Sequence, residues 1–417
     1  MPQTVCIVSP GNLASNPRVL KEAAALHEAG YGVTAIACDY TEALRPFDDE
    51  IAGKVPWTVL RVPRSTGERY FSRGARLVAH AMSGAGFDVP LSVAASAYGG
   101  PASALKRAAC AVHADLYIAH YIAALPAART AAQRHGAMLG FDAEDLHSGE
   151  GTDGPGERFQ VKMVQAIEDA CLPRCVHITT SAPLIGAVYA KRYGISPATV
   201  LNVFPLAMAQ NISNQNRRSS EGGGLRAYWF SQTIGLDRGL QAFVHAMART
   251  RARVTLDVRG SNRWGHGDKL MEVARELGVG DRITLLPIAP PDQMVTLAAP
   301  YDIGLSLESD SSESRRLCLT NKIFTYLLAG VPVMMSSTPA QFALAADLGA
   351  AALPVALADP DGMARALDRL AASPAALEDA RASALRLGRQ RYNWDVEKQV
   401  LLDSVASAFA RHDQACA

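Results

Sequence analysis

Short apolar runs rich in β-branched residues alternate along the chain with amphipathic or alanine-rich stretches of helical length. In the first half these runs read VCIVS, VTAIAC, VLRVP, DLYIAH, MLGFDA, HITTS and TVLNVF. Runs that are apolar throughout, with helical stretches between them, are typical of parallel strands covered by helices on both faces. The pattern therefore predicts an α/β fold built on doubly wound parallel sheets.

The first predicted helix has well-marked ends. Asn16 is suited to the N-cap, Pro17 to the first helical position, and Gly30 to the end that follows RVLKEAAALHEA. We therefore expect a helix that begins at Pro17, after a short loop that follows the first strand.

The most polar segment, LAMAQNISNQNRRSSEGGG, divides the alternation into two halves. Beyond it the pattern restarts with LRAYWFS, VTLDVRG, RITLLP, DIGLSLE and VPVMMSS. A chain of 417 residues is long for one core, so two domains are expected. We predict an N-terminal domain over 1–205, a linker over 206–224 and a C-terminal domain over 225–392, with a helix at about 393–417 crossing back onto the first domain.

Composition narrows the class of protein. The chain has 41 Lys and Arg against 40 Asp and Glu, and this balance argues against nucleic acid as a partner. The seven cysteines show neither disulfide nor zinc spacing. The N-terminal run MPQTVCIVSP predicts a first strand and no signal peptide, and no segment is apolar enough to span a membrane. A cytoplasmic location is therefore expected.

The segment TNKIFTYLLAG follows a predicted strand and a polar loop. A helix that begins near Thr320 would present free backbone N–H groups, which favour a phosphate, and Lys322 would add a full positive charge. The alternative is that Lys322 is a solvated residue of the first turn. A cation at a helix N-terminus is unfavourable unless an anion is present, so we favour an anion site.

The segment FSQTIGLDRGLQAFVHAM also leads from a strand through a loop to a helix. Gly235 and Gly239 permit close backbone approach to a ligand, and the guanidinium of Arg238 is suited to phosphate oxygens. An ordinary strand-to-helix turn explains the two glycines equally well, and both interpretations stay open.

Three further segments place polar side chains after predicted strands. In SPGNLASNPR, Gly11 would admit a substrate, and Asn12, Asn16 or Arg18 could bind it, although an ordinary turn is the alternative. His120 ends DLYIAH, and a histidine at the carboxyl end of such a strand is well placed for function. The acidic cluster of FDAEDLHSGEG lacks companion ligands at a recognisable spacing, so no metal site is expected; its members are Asp142, Glu144, Asp145, His147 and Glu150.

In their order along the chain, these motifs resemble the retaining glycosyltransferases of family four, which have the GT-B fold. The likeness rests on CIVSPGNLASNPRVLKEAAALHEAGYGVTAIA, DLYIAHYIAALPAA, VLNVFPL, DRGLQAFVHAM and NKIFTYLLAGVPV, and it runs over nearly the whole chain. The resemblance implies two Rossmann-like domains closing over a sugar nucleotide. It also implies that the C-terminal domain holds the nucleotide diphosphate and the N-terminal domain the acceptor.

The resemblance also implies roles for individual residues. Arg238 and Lys322 match the diphosphate clamp, Gly239 the close-approach glycine and Gly11 the glycine beneath the donor phosphate. His120 matches the histidine that reaches the transferred sugar. The further expected contacts to the donor are Gln232, Asn321 and Thr325. The expected contacts to the acceptor are Asn12, Asn16, Glu144 and Asp145.

Three positions depart from the family pattern. Thr325 and Leu317 stand where the two glutamates of an E-x7-E motif are common, and Gln232 stands where many members have an arginine. A threonine hydroxyl is a weaker ribose ligand than a carboxylate.

The prediction is a retaining glycosyltransferase that uses a nucleotide-sugar and needs no metal or other cofactor. The alternatives are a catalytically silent homologue that binds a saccharide or partner enzyme, and a nucleotide-sugar epimerase.

The segment RYFSRGARLVAHAM raises the question of a membrane. Arg73 and Arg76 flank the apolar residues Phe71, Leu77 and Val78, and such a helix can lie at an anionic interface. A solvated helix packed on its domain is the alternative, so at most a weak peripheral contact is expected.

Overall fold

The computed structural model describes residues 2–63, 67–151, 154–210, 212 and 224–416. The chain divides into two compact units. The first comprises residues 1–200 and 398–417, and the second comprises residues 201–397. The predicted linker lies largely outside the described residues, while Leu206–Ala209 forms a short 3-10 helix of the second unit.

The first unit is built on a seven-stranded sheet in the order β3-β2-β1-β4-β5-β6-β7, with parallel neighbours throughout. Its strands are β1 Thr4–Val8, β2 Gly32–Asp39, β3 Thr58–Pro63, β4 Leu116–His120, β5 Met138–Ala143, β6 His177–Thr180 and β7 Ala198–Thr199. Its helices are α1 Pro17–Glu28, α2 Arg45–Lys54, α3 Glu68–Gly84, α4 Leu91–Tyr98, α5 Ala102–Ala111, α6 Leu125–His135, α7 Pro155–Cys171 and α8 Pro183–Tyr193.

The second unit is built on a six-stranded parallel sheet in the order β10-β9-β8-β11-β12-β13. Its strands are β8 Leu225–Thr233, β9 Val254–Ser261, β10 Ile283–Leu286, β11 Ile303–Ser306, β12 Val333–Ser336 and β13 Ala352–Val355. Its helices are α9 Leu240–Met247, α10 His266–Glu276, α11 Met294–Ala298, α12 Glu313–Leu317, α13 Asn321–Ala329, α14 Pro339–Leu348, α15 Pro360–Ala371 and α16 Pro374–Gln390. The last helix, α17 Trp394–Cys416, begins in this unit and continues into the first.

The predicted α/β pattern with parallel sheets is confirmed. The first helix also begins as expected, since Pro17 is its first residue and the side chain of Asn16 accepts from the backbone N–H of Val19. The carboxyl-terminal part of α17 contacts the first sheet through Ser404, whose hydroxyl lies 2.9 Å from Nδ1 of His177.

The run TVLNVF was expected to be a strand, and this expectation is wrong beyond Thr199. The backbone groups that follow bind elsewhere. The N–H of Leu201 donates to the Glu397 carboxylate, and the carbonyl of Phe204 accepts from the N–H of Trp394. Contacts with the start of α17 therefore replace the strand pairing that the apolar pattern suggested.

The helix α13 lies deep in the second unit. The ring of Tyr326 covers Gly304 of β11, where a Cβ atom would come within 2.2 Å of it. On the other side, Gly388 of α16 approaches the backbone of Leu327 so closely that a Cβ atom would lie 2.6 Å from it. This packing fixes the position of the α13 N-terminus at the carboxyl edge of the sheet.

Candidate functional site

The order of each sheet reverses next to one central strand. In the second unit the chain leaves β8 toward β9 on one side, and β11 returns on the other. In open α/β sheets, ligands bind beyond the carboxyl ends of the strands at such a reversal. The loops after β8 and β11 and the N-terminus of α13 meet there.

A buried carboxylate organises this edge of the second sheet. Glu308, two residues after β11, is 0% exposed in its side chain and carries three cationic neighbours. Its Oε2 lies 3.1 Å from Nη1 of Arg238 and 2.8 Å from Nη1 of Arg315. Its Oε1 lies 3.2 Å from Nζ of Lys322. We call these four residues the Glu308 cluster.

Hydroxyl groups form hydrogen bonds between the elements that carry the Glu308 cluster. The N–H of Glu308 donates to Oγ of Ser336 at 3.0 Å. The hydroxyls of Ser306 and Thr320, at the end of β11 and the N-cap of α13, lie 3.0 Å apart. These bonds tie the ends of β11, β12 and α13 together and fix the backbone of Glu308.

The Glu308 cluster carries surplus positive charge. One carboxylate cannot balance three cations, and Asp237, which lies 3.6 Å from Arg238 and 3.8 Å from Arg315, still leaves an excess. The side chains of Arg238 and Arg315 keep 22% and 27% of their surface exposed. Partly exposed guanidinium groups beside a helix N-terminus form a site suited to an anion such as a phosphate.

The two cations predicted to form a clamp, Arg238 and Lys322, are brought together by Glu308. Lys322 is the second residue of α13, as predicted, but it is neither solvated nor alone: it is buried and paired with the carboxylate. The helix α13 begins at Asn321. The backbone N–H groups of its first turn point out of the N-terminal end of the helix, as in every α-helix. Gln232 is exposed at the end of β8.

Two of the predicted donor contacts are engaged within the protein. Thr325 is fully buried, and its hydroxyl donates to the carbonyl of Asn321 at 3.0 Å; its contact with a ribose stays a prediction. Gly239 has φ of 64°, and a Cβ atom there would lie 2.6 Å from Cβ of Leu307. The close approach that requires this glycine is to the protein itself.

Glu308 and Arg315 were missed by the sequence analysis. Arg315 belongs to the polar stretch SDSSESRRLC, in which no residue stands out, and it reaches the site because α12 is capped by Ser312 just before α13. Glu308 did carry a usable signal. An acidic residue directly after an apolar strand, at the same sheet edge as two predicted cations, is a candidate partner for them.

The first unit holds a second charged cluster, at the carboxyl ends of β4 and β5. Nε and Nη2 of Arg18 donate to both oxygens of Asp142, at 2.6 and 2.7 Å. Nδ1 of His120 lies 3.2 Å from Asp142, and its Nε2 lies 2.9 Å from Oε2 of Glu22. All four side chains are at most 4% exposed. We call these residues the Asp142 cluster.

Charge pairing sets the protonation of the Asp142 cluster. Burial opposes the charged form of His120, but the carboxylates of Glu22 and Asp142 outweigh it and raise its pKa to about 10. Burial likewise disfavours ionised Asp142, yet Arg18 and His120 hold its pKa well below its usual range. With His120 protonated, two cations balance two carboxylates and no charge is left over.

This geometry gives His120 partners within the protein. The side chain is 1% exposed and both ring nitrogens face carboxylates, and its expected contact with a transferred sugar stays a prediction. The residue after it, Tyr121, has φ of 61°, and it is the one non-glycine residue with positive φ in the described part of the chain. Such a backbone conformation is strained for a bulky residue and is found disproportionately at functional sites.

The acceptor residues predicted from SPGNLASNPR make hydrogen bonds within the first unit, and their contact with an acceptor stays a prediction. Asn12 donates to the Asp48 carboxylate at 2.8 Å and accepts from the N–H of Thr41 at 2.7 Å, while Asn16 caps α1. Gly11 differs: a Cβ atom there would meet only the Ser15 hydroxyl, at 3.9 Å, so protein packing does not require this glycine. Its predicted position beneath a donor phosphate stays a prediction.

Glu144 and Asp145 follow β5 and are half-buried. Burial, and after it the charge of Glu144, raises the pKa of Asp145 to about 7. The carboxyl of Asp145 could therefore exchange a proton near neutral pH. The predicted contact of these two residues with an acceptor stays a prediction.

Glu22, His120 and Asp142 offer potential metal ligands within 4.8 Å of one another in the described part of the chain. Arg18 binds both carboxylate oxygens of Asp142, and its guanidinium charge would repel a metal ion placed there. The residues present therefore fit a protonated histidine better than a metal.

Comparison of the sequence with protein-family models and with curated proteins gives no match. Comparison of the structure with solved structures gives many. The Anabaena protein HepE in complex with UDP matches with a TM-score of 0.69 and 12% identity, over 97% of this chain and 100% of that chain. A glycosyltransferase from Rickettsia africae matches with a TM-score of 0.68 and 9% identity, over 98% and 99% of the two chains. Sucrose-phosphate synthase from Thermosynechococcus elongatus matches with a TM-score of 0.65 and 14% identity, over 98% and 100%.

These likenesses extend over both units and confirm the fold expected from the sequence. The chain has the GT-B fold, with two Rossmann-like domains built on the seven-stranded and six-stranded parallel sheets.

Proposed function

We propose that the protein is a retaining glycosyltransferase that moves a sugar from a nucleotide-sugar donor to an acceptor hydroxyl. Support comes from the Glu308 cluster, in which three cations share one buried carboxylate at the strand reversal of the second sheet. The GT-B fold and the sequence resemblance to retaining glycosyltransferases agree with this assignment. Because HepE, a structural neighbour, binds UDP and UDP-glucose, uridine nucleotides are the first donors to test.

The proposed reaction needs stabilisation of a leaving diphosphate. The bond between the anomeric carbon and the β-phosphate oxygen breaks, and the electron pair stays on that oxygen. The acceptor oxygen bonds to the anomeric carbon on the same face, and its proton passes to the leaving phosphate. The surplus charge of Arg238, Arg315 and Lys322 would stabilise the phosphate as its negative charge grows.

The charge that a metal ion supplies in other transferases can come here from side chains. Arg238 and Arg315 are partly exposed and can donate paired hydrogen bonds to phosphate oxygens. We therefore propose that no metal or other cofactor is required. Addition of a chelator should leave turnover unchanged, and loss of turnover that is restored by a divalent cation would overturn this part of the proposal.

The function is tested by incubating the protein with a panel of mass-tagged sugar nucleotides, with and without acceptor sugars. Transfer, or slow hydrolysis of one donor, is the expected result. Arg238→Ala should abolish both transfer and hydrolysis. The variant removes one partner of the buried Glu308 carboxylate and one hydrogen-bond donor to the phosphate. Arg316→Ala is the matched control, since that arginine is adjacent to the cluster in sequence but is 53% exposed and outside it. An epimerised donor would instead favour the epimerase.

One observation favours a second candidate, a silent homologue that binds without catalysis. Where related enzymes carry a glutamate for the ribose, this chain has Thr325, buried and bound to its own helix backbone. A silent homologue would bind a nucleotide or a saccharide but neither transfer nor hydrolyse any donor in the panel. Binding of UDP without turnover of any donor would support it over the enzyme.

A further inference from the structure

The outer face of α3 carries a concentration of exposed apolar side chains. Tyr70 is 75% exposed, Phe71 78%, Leu77 73% and Val78 50%. The two pairs lie seven residues, or about two turns, apart, so the four side chains share one face of the helix. We call these four residues the α3 stripe. Phe87, just beyond the helix, is 68% exposed and extends the apolar surface.

The opposite side of α3 holds the helix on its domain. Ala79 is fully buried, and Nε of Arg76 donates to the carbonyl of Ala97 on α4 at 2.9 Å. At the start of α3, the carboxylate of Glu68 accepts from the Ser103 hydroxyl of α5 at 2.6 Å. The helix is therefore fixed in place with its apolar stripe turned outward, so the exposure is a property of the folded domain.

A shallow groove of about 440 Å³ lies along the stripe between α3 and α4. Its lining is mostly apolar, and it consists of Tyr70, Phe71, Gly74, Ala75 and Ser96. A Cβ atom added at Gly74 would meet no other atom within 4 Å, so the surface is open at the middle of the stripe. Isolated apolar residues are normal on a protein surface, but a contiguous aromatic and aliphatic surface of this kind marks an interaction site.

Basic side chains lie on α3 itself and on the neighbouring helix α7. Arg73 lies between its two pairs, is exposed, and has no hydrogen bond or ion pair to its side chain among the described residues. On α7, which packs beside α3 through stacking of Phe159 on His80 at 3.8 Å, Arg158 is exposed. Lys162, one turn further, binds the hydroxyl at the end of α3.

Exposed acidic side chains lie close by in the sequence. Asp88 follows the helix and Glu157 precedes Arg158, while the carboxylate of Glu68 is turned toward α5. Among the exposed side chains named here, three are cationic and two are acidic, beside the aromatic and aliphatic side chains of the stripe.

We propose that the α3 stripe docks on the surface of a membrane that carries anionic lipids. Aromatic and aliphatic side chains on one face of a helix enter the boundary between headgroups and acyl chains, and neighbouring arginines attract the anionic headgroups. The contact is peripheral, because none of the helices in the described ranges has the length and apolar character that a bilayer crossing requires. A protein partner would need acidic side chains placed opposite Arg73 and Arg158. An anionic lipid surface supplies this negative charge through its headgroups.

The test is flotation of the 417-residue chain with vesicles of phosphatidylcholine alone and of phosphatidylcholine with phosphatidylglycerol. We expect flotation with the anionic vesicles. The double variant Phe71→Ser, Leu77→Ser should reduce it by at least roughly tenfold, since each side chain buries apolar surface in the interface. Arg73→Glu should reduce binding to the anionic vesicles by about fivefold or more and leave binding to the neutral vesicles unchanged.

Phe342→Ser in α14 is the matched control, because Phe342 is 63% exposed but belongs to the second unit. It should float like the parent protein. Because all three α3 side chains are exposed, the variants should keep the melting temperature of the parent, which shows that they fold. Absence of flotation with either vesicle, or equal flotation of the double variant, would overturn the proposal. A dimer that the double variant dissolves would also overturn it, in favour of contact between two copies.

This inference is independent of the proposed function. Nucleotide binding measured by calorimetry depends on the second unit and should be the same in the parent and in the α3 variants. A parent protein that binds nucleotide but does not float with anionic vesicles contradicts the membrane proposal alone. Normal flotation without any nucleotide binding contradicts the glycosyltransferase alone.

Discussion

The Asp142 cluster and the Glu308 cluster are built from the same kinds of side chain at equivalent edges of two parallel sheets, yet they differ in charge balance. In the Asp142 cluster two cations meet two carboxylates, and every side chain is almost completely buried. In the Glu308 cluster three cations surround one buried carboxylate, and two arginines stay partly exposed. The first cluster is closed, whereas the second is open to solvent.

The difference indicates what each cluster does. A closed and balanced cluster has satisfied its own charges and stabilises the ends of the strands that carry it. An open cluster with surplus positive charge is stabilised further by an added anion, so it has the character of a binding site. Four predictions test this contrast.

The largest effect is expected for Asp142→Asn. The variant leaves Arg18 and the protonated His120 buried without one of their two counter-charges, and breaking a buried pair in this way costs about 3–5 kcal/mol. Urea unfolding should show this loss in the free energy of unfolding. Asp361→Asn is the control, because its pair with Arg249 is largely exposed and should be worth less than about 1 kcal/mol. Similar losses in the free energy of unfolding of both variants would contradict the prediction that the buried cluster contributes more than an exposed ion pair.

Lys322→Ala should weaken binding of UDP by about 1.5–3 kcal/mol, or roughly 10- to 150-fold, because it removes a charged hydrogen-bond donor from the phosphate site. Uridine, which has no phosphate, should bind the variant and the parent equally. Calorimetric titration with both ligands gives the comparison, and Arg316→Ala is again the control. Equal weakening of both ligands would mean that Lys322 supports the α13 helix and does not contact the phosphate.

The stability of the first unit should depend on pH through His120. Its pKa in the folded protein is about 10, above the unfolded value near 6.5, so its stabilising charge is fully present below about pH 6.5 and is lost as pH rises toward 10. The associated slope is at most about 1.4 kcal/mol per pH unit in that window. His120→Gln should unfold with a flatter pH profile between those limits. An unchanged profile would show that the ring is neutral in the folded protein.

The smallest effect is expected for Thr325→Val. The substitution keeps the shape of the side chain and removes a hydroxyl that binds only the helix backbone, so stability should change by less than about 1 kcal/mol. Affinity for UDP and for uridine should change by less than about twofold. A larger loss for both ligands would support the ribose contact that the resemblance implies for Thr325.

Much of the candidate site was predictable because α/β folds place loops after strands at one edge of the sheet. The positions of Arg238 and Lys322, after a strand and at a helix start, make each a candidate phosphate ligand, and the structure places both beside one carboxylate. The cap of α1 by Asn16 was equally local and was confirmed. Each of these predictions depends on residues that are neighbours in the sequence.

The direction and surroundings of side chains were not predictable from the sequence. His120 stands at the end of β4 as expected, but its partners Glu22 and Asp142 are distant in sequence, on α1 and β5. Thr325 lies on the expected helix, but α13 is packed on every side and turns that residue inward. A motif gives the element on which a residue lies and cannot give what packs against it.

The sequence by itself determined the α/β class, the two alternations, the start of α1 and the positions of the candidate cations after strands, because hydrophobic period, caps and loop residues act over a few neighbouring positions. Only the tertiary structure decided that Glu308 joins Arg238, Arg315 and Lys322, and that the Asp142 cluster is closed. The physical reason is that charge balance and burial are sums over residues that strand order brings together, and strand order is set by packing of the whole domain.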